Sequence, residues 1–404
     1  MNELASLGII LFFALLAGHL VKFIRVPEVT GYILAGVAVG PSFLGWITHD
    51  NLSSLEVFSE VALGLILFSI GSVFEFTSFR LIARRAVLVT VVESFLTAAV
   101  VTAGMLAMGQ PWTIAVLLGA ISMETAAATS LMVLREMNAK GEMSDMLKGV
   151  IAMNNICCLV GFSFAAAVVD LSIKSQMPDA SMGQAFYEAV YPLVWQIVGS
   201  AALGFLVGGL LSIWSGHIEE QGETLILMAG GVLLCVGMAD WMELSPLVSS
   251  LAVGATMVNL TTHSRNLFGA LSRTDPPLYA IFFVIAGADM NLSALPAVGL
   301  LGVVYVAGRV AGKVVGVKAG AKYAGASVTV QKYLGYTTLA QAGLAIGLVL
   351  ATNQRFPDLG PQVATIVLAA VAIFELVGPL SAKFAFIKSG ESQPQDHAPA
   401  VLLD

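Results

Sequence analysis

Apolar runs long enough to cross a membrane as helices follow one another along almost the whole chain, separated mostly by short connectors. A bilayer core about 30 Å thick takes roughly 20 apolar residues per helix. Thirteen spans are expected on this reading: 4–24, 28–47, 57–76, 84–108, 111–138, 144–171, 186–215, 222–241, 245–262, 276–291, 294–322, 331–353 and 361–388. Only 11% of the residues are charged and 57% are hydrophobic. A soluble domain carries about 25% charged residues, so water cannot be the main solvent of this fold. The 40 glycines agree, because glycine lets membrane helices approach closely. The expected class is therefore an all-α polytopic membrane protein.

Several functions are excluded at this stage. No basic patch interleaved with aromatics marks a nucleic-acid binder. No nucleophile–base constellation or cofactor motif marks an enzyme. Cys157, Cys158 and Cys235 all fall within apolar spans and show neither disulfide nor zinc spacing. Span 1 leads directly into further spans, so no cleavable signal peptide is expected. From Ser389 the chain turns polar (SGESQPQDHAPA), and 389–404 is expected to be a disordered cytoplasmic tail.

Charge sorts the connectors into two sides. With the N-terminus outside, fifteen Lys and Arg residues fall at inner ends, among them Lys22, Arg25, Arg85, Lys140, Arg265, Arg273 and Lys388, and only Lys174 and Arg355 fall outside. This is the positive-inside pattern, and one miscounted span would scramble it. The inner loop at 216–223 runs against the trend with Glu219, Glu220 and Glu223.

Polar residues inside spans are the informative ones, since insertion of an Asp, Lys or Arg at a helix centre costs roughly 2.5–3.5 kcal/mol. They are Glu93 in span 4, Glu124 and Thr125 in span 5, Asn154 and Asn155 in span 6, Arg309 and Lys313 in span 11, Gln341 in span 12 and Glu375 in span 13. All lie in spans 4–6 and 11–13. Spans 5 and 12 are seven apart and echo one another, with Met123-Glu124-Thr125-Ala126 and Leu339-Ala340-Gln341-Ala342-Gly343 at their centres. Small and polar residues there allow the helix to unwind. An odd offset implies inverted repeats, an architecture that puts a transport site at the midplane between broken helices. Arg309 and Lys313 share a helix face and call for carboxylate partners or a watery cavity, unless they snorkel toward the inner surface. Glu93 and Glu375 are the candidates to neutralise them. Glu124, beside unwound carbonyls, is a candidate cation or proton site, with a structural salt bridge as the other reading.

Six segments taken in order resemble the monovalent cation:proton antiporter superfamily, in the branch of bacterial sodium/proton antiporters and potassium-efflux systems. They are VPEVTGYILAGVAVGPSFLG (26–45), EVALGLILFSIG (60–71), SPLVSSLAVGATMVN (245–259), IFFVIAGADMNL (281–292), GKVVGVKAGAK (312–322) and FELVGPL (374–380). The resemblance implies a homodimer of thirteen-helix protomers in a bacterial inner membrane, with inverted repeats and two crossing broken helices. A dimer domain would come from spans 1–3 and 8–10 and a mobile core from spans 4–6 and 11–13. It also implies elevator-type exchange of sodium or potassium for protons, with no cofactor and no metal beyond the transported ion. Thr125 falls at the family's unwound threonine and Lys313 at its core lysine, followed by Gly316, Gly320 and Ala321. The departure is Asn154-Asn155, which stands where relatives carry Asp-Asp, Asn-Asp or Gln-Asp. Three outcomes are open. Glu124 replaces the missing carboxylate and pairs with Lys313; or the Asn pair and the basic residues serve another solute, such as an anion; or the chain is a non-transporting sensor.

Overall fold

In the computed structural model, which describes residues 3–24, 26–174, 191, 194–218, 220–261, 268, 275–290 and 294–392, the described residues form fifteen α-helices and no strands. They are α1 (Glu3–Phe23), α2 (Glu28–Val39), α3 (His49–Gly71), α4 (Phe76–Ala107), α5 (Trp112–Ile121), α6 (Ala127–Glu136), α7 (Glu142–Lys174) and α8 (Ser200–Ser215). There follow α9 (Gln221–Trp241), α10 (Pro246–Leu260), α11 (Asp275–Ala288), α12 (Ala294–Tyr323), α13 (Val328–Thr337), α14 (Gly343–Arg355) and α15 (Gly360–Ser389). Arg25, Arg265, Arg273 and the tail beyond 392 lie outside the described residues.

Local chemistry sets many of the boundaries. Thr48 and Asn51 exchange bonds as a capping box ahead of α3. Ser245 and Ser327 cap α10 and α13 through the N–H groups of Val248 and Val330. Gly390, at φ 76°, closes α15 in the left-handed conformation. Among the described residues, length and composition qualify seven helices to cross a membrane, and six further apolar stretches are shorter. Two expected spans are split: 111–138 into α5 and α6 around 122–126, and 331–353 into α13 and α14 around 338–342.

The core is apolar, as in a soluble protein, but the exterior is apolar too and a few charges are buried. Phe12, Phe164, Leu206 and Trp214 are exposed, while Glu93, Glu124, Arg309, Lys313 and Glu375 are buried. Charges inside and large apolar groups outside are what lipid as solvent selects. Helix α4 packs on α5, α7 and α12, with α13 on α12 and α15, and α14 on α15. Helix α2 packs on α1 and α11, α3 on α10 and α11, and α8 on α10. At the α2–α11 crossing the backbones touch: a Cβ at Gly36 would stand 2.1 Å from the Val284 oxygen, and one at Gly287 2.2 Å from that of Ile33.

Polar contacts gather at the two ends of the helices. At one end Gln362 donates to Gln110 at 2.6 Å and Arg355 pairs with Asp170. At the other, Lys22 pairs with Glu28, Arg85 with Glu142 at 3.5 Å, and the Glu28 N–H donates to Glu136 at 2.8 Å. There too Glu391 folds back onto the start of α7 and accepts from the N–H groups of Met143 and Ser144 at 2.7 and 2.8 Å. A carboxylate on a helix N-terminus is favoured by its orphan N–H groups and dipole.

Candidate transport site

The site begins with two interrupted helices. At 122–126 and 338–342 the chain leaves helical geometry in mid-membrane, which frees carbonyls at the ends of α5 and α13 and N–H groups at the starts of α6 and α14. The breaks hold each other. The Ala126 N–H donates to the Ala340 oxygen at 3.0 Å, Thr125 Oγ1 to that of Thr338 at 3.3 Å, and Ser130 Oγ to that of Thr337 at 2.9 Å. Gln341 Nε2 reaches the Ile121 oxygen at 3.3 Å and the Tyr305 hydroxyl at 3.2 Å.

Freed carbonyls attract cations, and α12 supplies two. Arg309, fully buried, donates Nε to the Ser122 oxygen at 3.2 Å and Nη1 to that of Leu339 at 2.5 Å. Its Nη2 donates to the Glu124 and Ala340 oxygens at 2.6 and 3.2 Å, and the guanidinium lies 4.3 Å above the Phe374 ring. One side chain therefore staples both breaks. Lys313, also fully buried, donates to the Met123 oxygen at 2.5 Å and Thr125 Oγ1 at 2.7 Å, and pairs with Glu93 at 2.5 Å. Neither cation snorkels. Glycines make this possible: Gly312, Gly316 and Gly320 line the face of α12 against Thr97, Glu93 and Val89 of α4, and a Cβ at Gly316 would stand 2.7 Å from Glu93 Cα.

The expected Glu124–Lys313 pair is thus not the one formed, because Glu93 reaches Lys313 from α4. Asn154 sits beside that pair, donating Nδ2 to Glu93 at 3.2 Å, Ser94 Oγ at 3.3 Å and the Met123 oxygen at 2.9 Å. Glu124 turns the other way. Its Oε2 accepts from the Ala342 N–H, at the start of α14, at 3.3 Å, and with Asn155 it lines a small cavity walled by Leu63, Leu67, Phe282 and the start of α6. The Asn155 Oδ1 is buried without a hydrogen-bond partner. Two residues with acceptor side chains, one of them a carboxylate, so line one cavity at the crossing of the breaks. Glu375 does not neutralise either cation. It lies on α15 against Thr129, whose hydroxyl donates to its Oε1 at 3.5 Å.

Residues 8–388 match the model of the family described as sodium/hydrogen exchanger, transmembrane. The chain belongs to the sodium/hydrogen exchanger family. Its members are membrane transporters, not enzymes. Over 97% of this chain and 98% of the relative, it is 24% identical to the ammonium/H(+) antiporter subunit AmhT of Alkalihalophilus pseudofirmus. A 175-residue stretch, 43% of this chain and 38% of the relative, is 29% identical to the iron transporter MagA of Paramagnetospirillum magneticum. The fold is that of the sodium proton antiporter MjNhaP1 from Methanocaldococcus jannaschii. Two structures of that protein align with TM-scores of 0.72 and 0.75 at 17% and 18% identity, over 96% and 97% of this chain and 98% and 99% of theirs.

Residues that sequence reasoning passed over are Phe374, Tyr305, Ser94 and Thr129. Tyr305 lies four residues before Arg309 on the same helix, so helical spacing from that charged position would have found it. The aromatic partner of Arg309 had no such marker, since Phe374 is one of 21 phenylalanines.

Proposed function

We propose that this exchanger-family protein is a secondary transporter that exchanges a monovalent cation, sodium or potassium, for protons, with Glu124 carrying the alternating charge and Asn155 completing the cation site. The observation that carries the reading is the shared cavity: Glu124 and Asn155 line it together, and the Asn155 amide oxygen is buried without a hydrogen-bond partner. A carboxylate on the first turn of α14 can hold a cation or a proton in turn, and the amide supplies a neutral oxygen. The usual pair of adjacent carboxylates is then divided. Glu93 takes the lysine and Glu124 takes the ion.

The same geometry weighs against an anion as solute. Lys313 is occupied by Glu93, Thr125 and a carbonyl, and Arg309 by four carbonyls and a ring. Neither has donors turned to the cavity. By analogy with the fold, α4–α7 and α12–α15 would move as an elevator against α1–α3 and α9–α11 of a homodimer, in a bacterial inner membrane with the C-terminus cytoplasmic.

The test is reconstitution in liposomes with an internal pH dye, driven by sodium, potassium or, following the AmhT relative, ammonium gradients against protein-free controls. Wild type should move protons with at least one of these cations, and Glu124→Gln should lower the rate by at least tenfold. Full activity of Glu124→Gln, or no proton movement with any cation, would sink the proposal. Flux that survives Glu124→Gln but is lost in Lys313→Met would point to the anion instead.

A further inference from the structure

The two breaks present two helix N-termini to the membrane interior, and each has a carboxyl beside it. Glu124 accepts from the Ala342 N–H at the start of α14. Glu375 receives the hydroxyl of Thr129, in the first turn of α6. Three features separate Glu375 from a structural acid. It is only 2% exposed, yet its Oε2 has no hydrogen-bond partner. No described Lys or Arg pairs with it, and the charged group acting on it is another carboxyl, Glu124. Finally, Pro379 has no N–H to give the Glu375 carbonyl four residues earlier, so the α15 ladder is open at this turn.

Its surroundings tie it to the moving part of the site. A Cβ at Gly378, one turn on, would stand 2.7 Å from Cα of Ala340 in the second break. Next to it, Phe374 carries the Arg309 guanidinium on its ring. At this depth α13 and α14 bring Thr337, Thr338 and Gln341, which are neutral. A carboxyl so placed is shielded from water and from every described cation, and when it gives up a proton, the α6 N-terminus favours the carboxylate that remains.

We infer that Glu375 is a second proton-carrying carboxyl of the exchange, paired with Glu124 across the second break and setting the charge moved per cycle. This rests on the proposed role of Glu124. In each turnover the O–H bond of Glu375 breaks and its proton passes to water on the side to which the site opens. The carboxylate takes a proton back from water on the opposite side. With Glu124 doing the same in competition with the cation, two protons cross for one monovalent cation, and one net charge moves.

The experiment measures two quantities on the full chain: proton–cation exchange by the pH dye, and charge displacement on a solid-supported membrane after a jump of the transported cation. Wild type should give both. Glu375→Gln should keep exchanging at one proton per cation while its charge displacement per cation falls at least fivefold. An unchanged ratio of charge to cation, or complete loss of exchange in a folded Glu375→Gln protein, would overturn the inference. Should that variant be unstable, Thr129→Val removes only the hydroxyl. It should move the pH midpoint of the charge displacement by half a unit or more relative to that of the exchange, and coincident midpoints would count against the idea. Glu124→Gln separates the two levels, since full exchange in that variant sinks the reading of the site itself, whereas an unchanged ratio in Glu375→Gln sinks only the second carboxyl.

Discussion

At the scale of single residues, the interior of this protein is an electrostatic fit between side chains and interrupted backbone. Cations sit where carbonyls are freed, and carboxyls sit where N–H groups are freed. The Lys313–Glu93 pair is the most exposed to disruption, because both members are fully buried. Removing one partner of a buried pair costs about 3–5 kcal/mol, whereas replacing both by apolar groups of similar size is often neutral. Lys313→Met should therefore lower the unfolding temperature in detergent strongly, and Lys313→Met with Glu93→Leu should recover most of the loss while leaving transport abolished. A single variant as stable as wild type would show that the pair does not hold the core. Sequence reading had all the participants here, but not the pairing. Glu93 in span 4 and Glu124 in span 5 are both far from α12 in the chain, and nothing in their spacing says which of them reaches Lys313.

At the scale of elements, glycines decide which helices can touch. The row Gly312, Gly316, Gly320 brings α12 against the backbone of α4, and Lys313 sits within that row. Gly316→Ala would place a Cβ 2.7 Å from Glu93 Cα, so the helices must part and the ion pair must stretch. Gly347 on α14 has nothing within 4 Å of the same added atom. Gly316→Ala should lower both thermal stability and exchange rate, and Gly347→Ala neither. Equal behaviour of the two variants would refute the close-contact argument. The broken helices were legible at this scale: the small and polar residues at 123–126 and 339–343 marked both interruptions. The end of α2 at Val39 was passed over, although Gly40-Pro41 inside the run 28–47 marks it locally.

At the scale of the whole molecule, the two polar ends give a map that can be checked without a structure. Gln110 and Gln362 meet at one end, and Lys140 and Glu391 at the other. On the positive-inside assignment the first end is external. On a cysteine-free background, Gln110→Cys and Gln362→Cys should react with a membrane-impermeant maleimide from outside intact cells, whereas Lys140→Cys and Lys388→Cys should react only after permeabilisation. The opposite pattern would invert the proposed orientation, and mixed labelling within one end would break the span map itself.

The amino-acid sequence by itself determined the solvent of this protein, its helical class, the place of both helix breaks and the roster of buried polar residues. Each of these follows from local composition, since a charge within twenty apolar residues is costly wherever the rest of the chain lies. Which carboxylate serves which partner was decided only by the tertiary structure. The Lys313–Glu93 pair and the bond from the Ala342 N–H to Glu124 join segments far apart in the chain. The distances that select them are set by glycine-mediated packing and by the crossing of the two breaks, and neither is a local property of any segment.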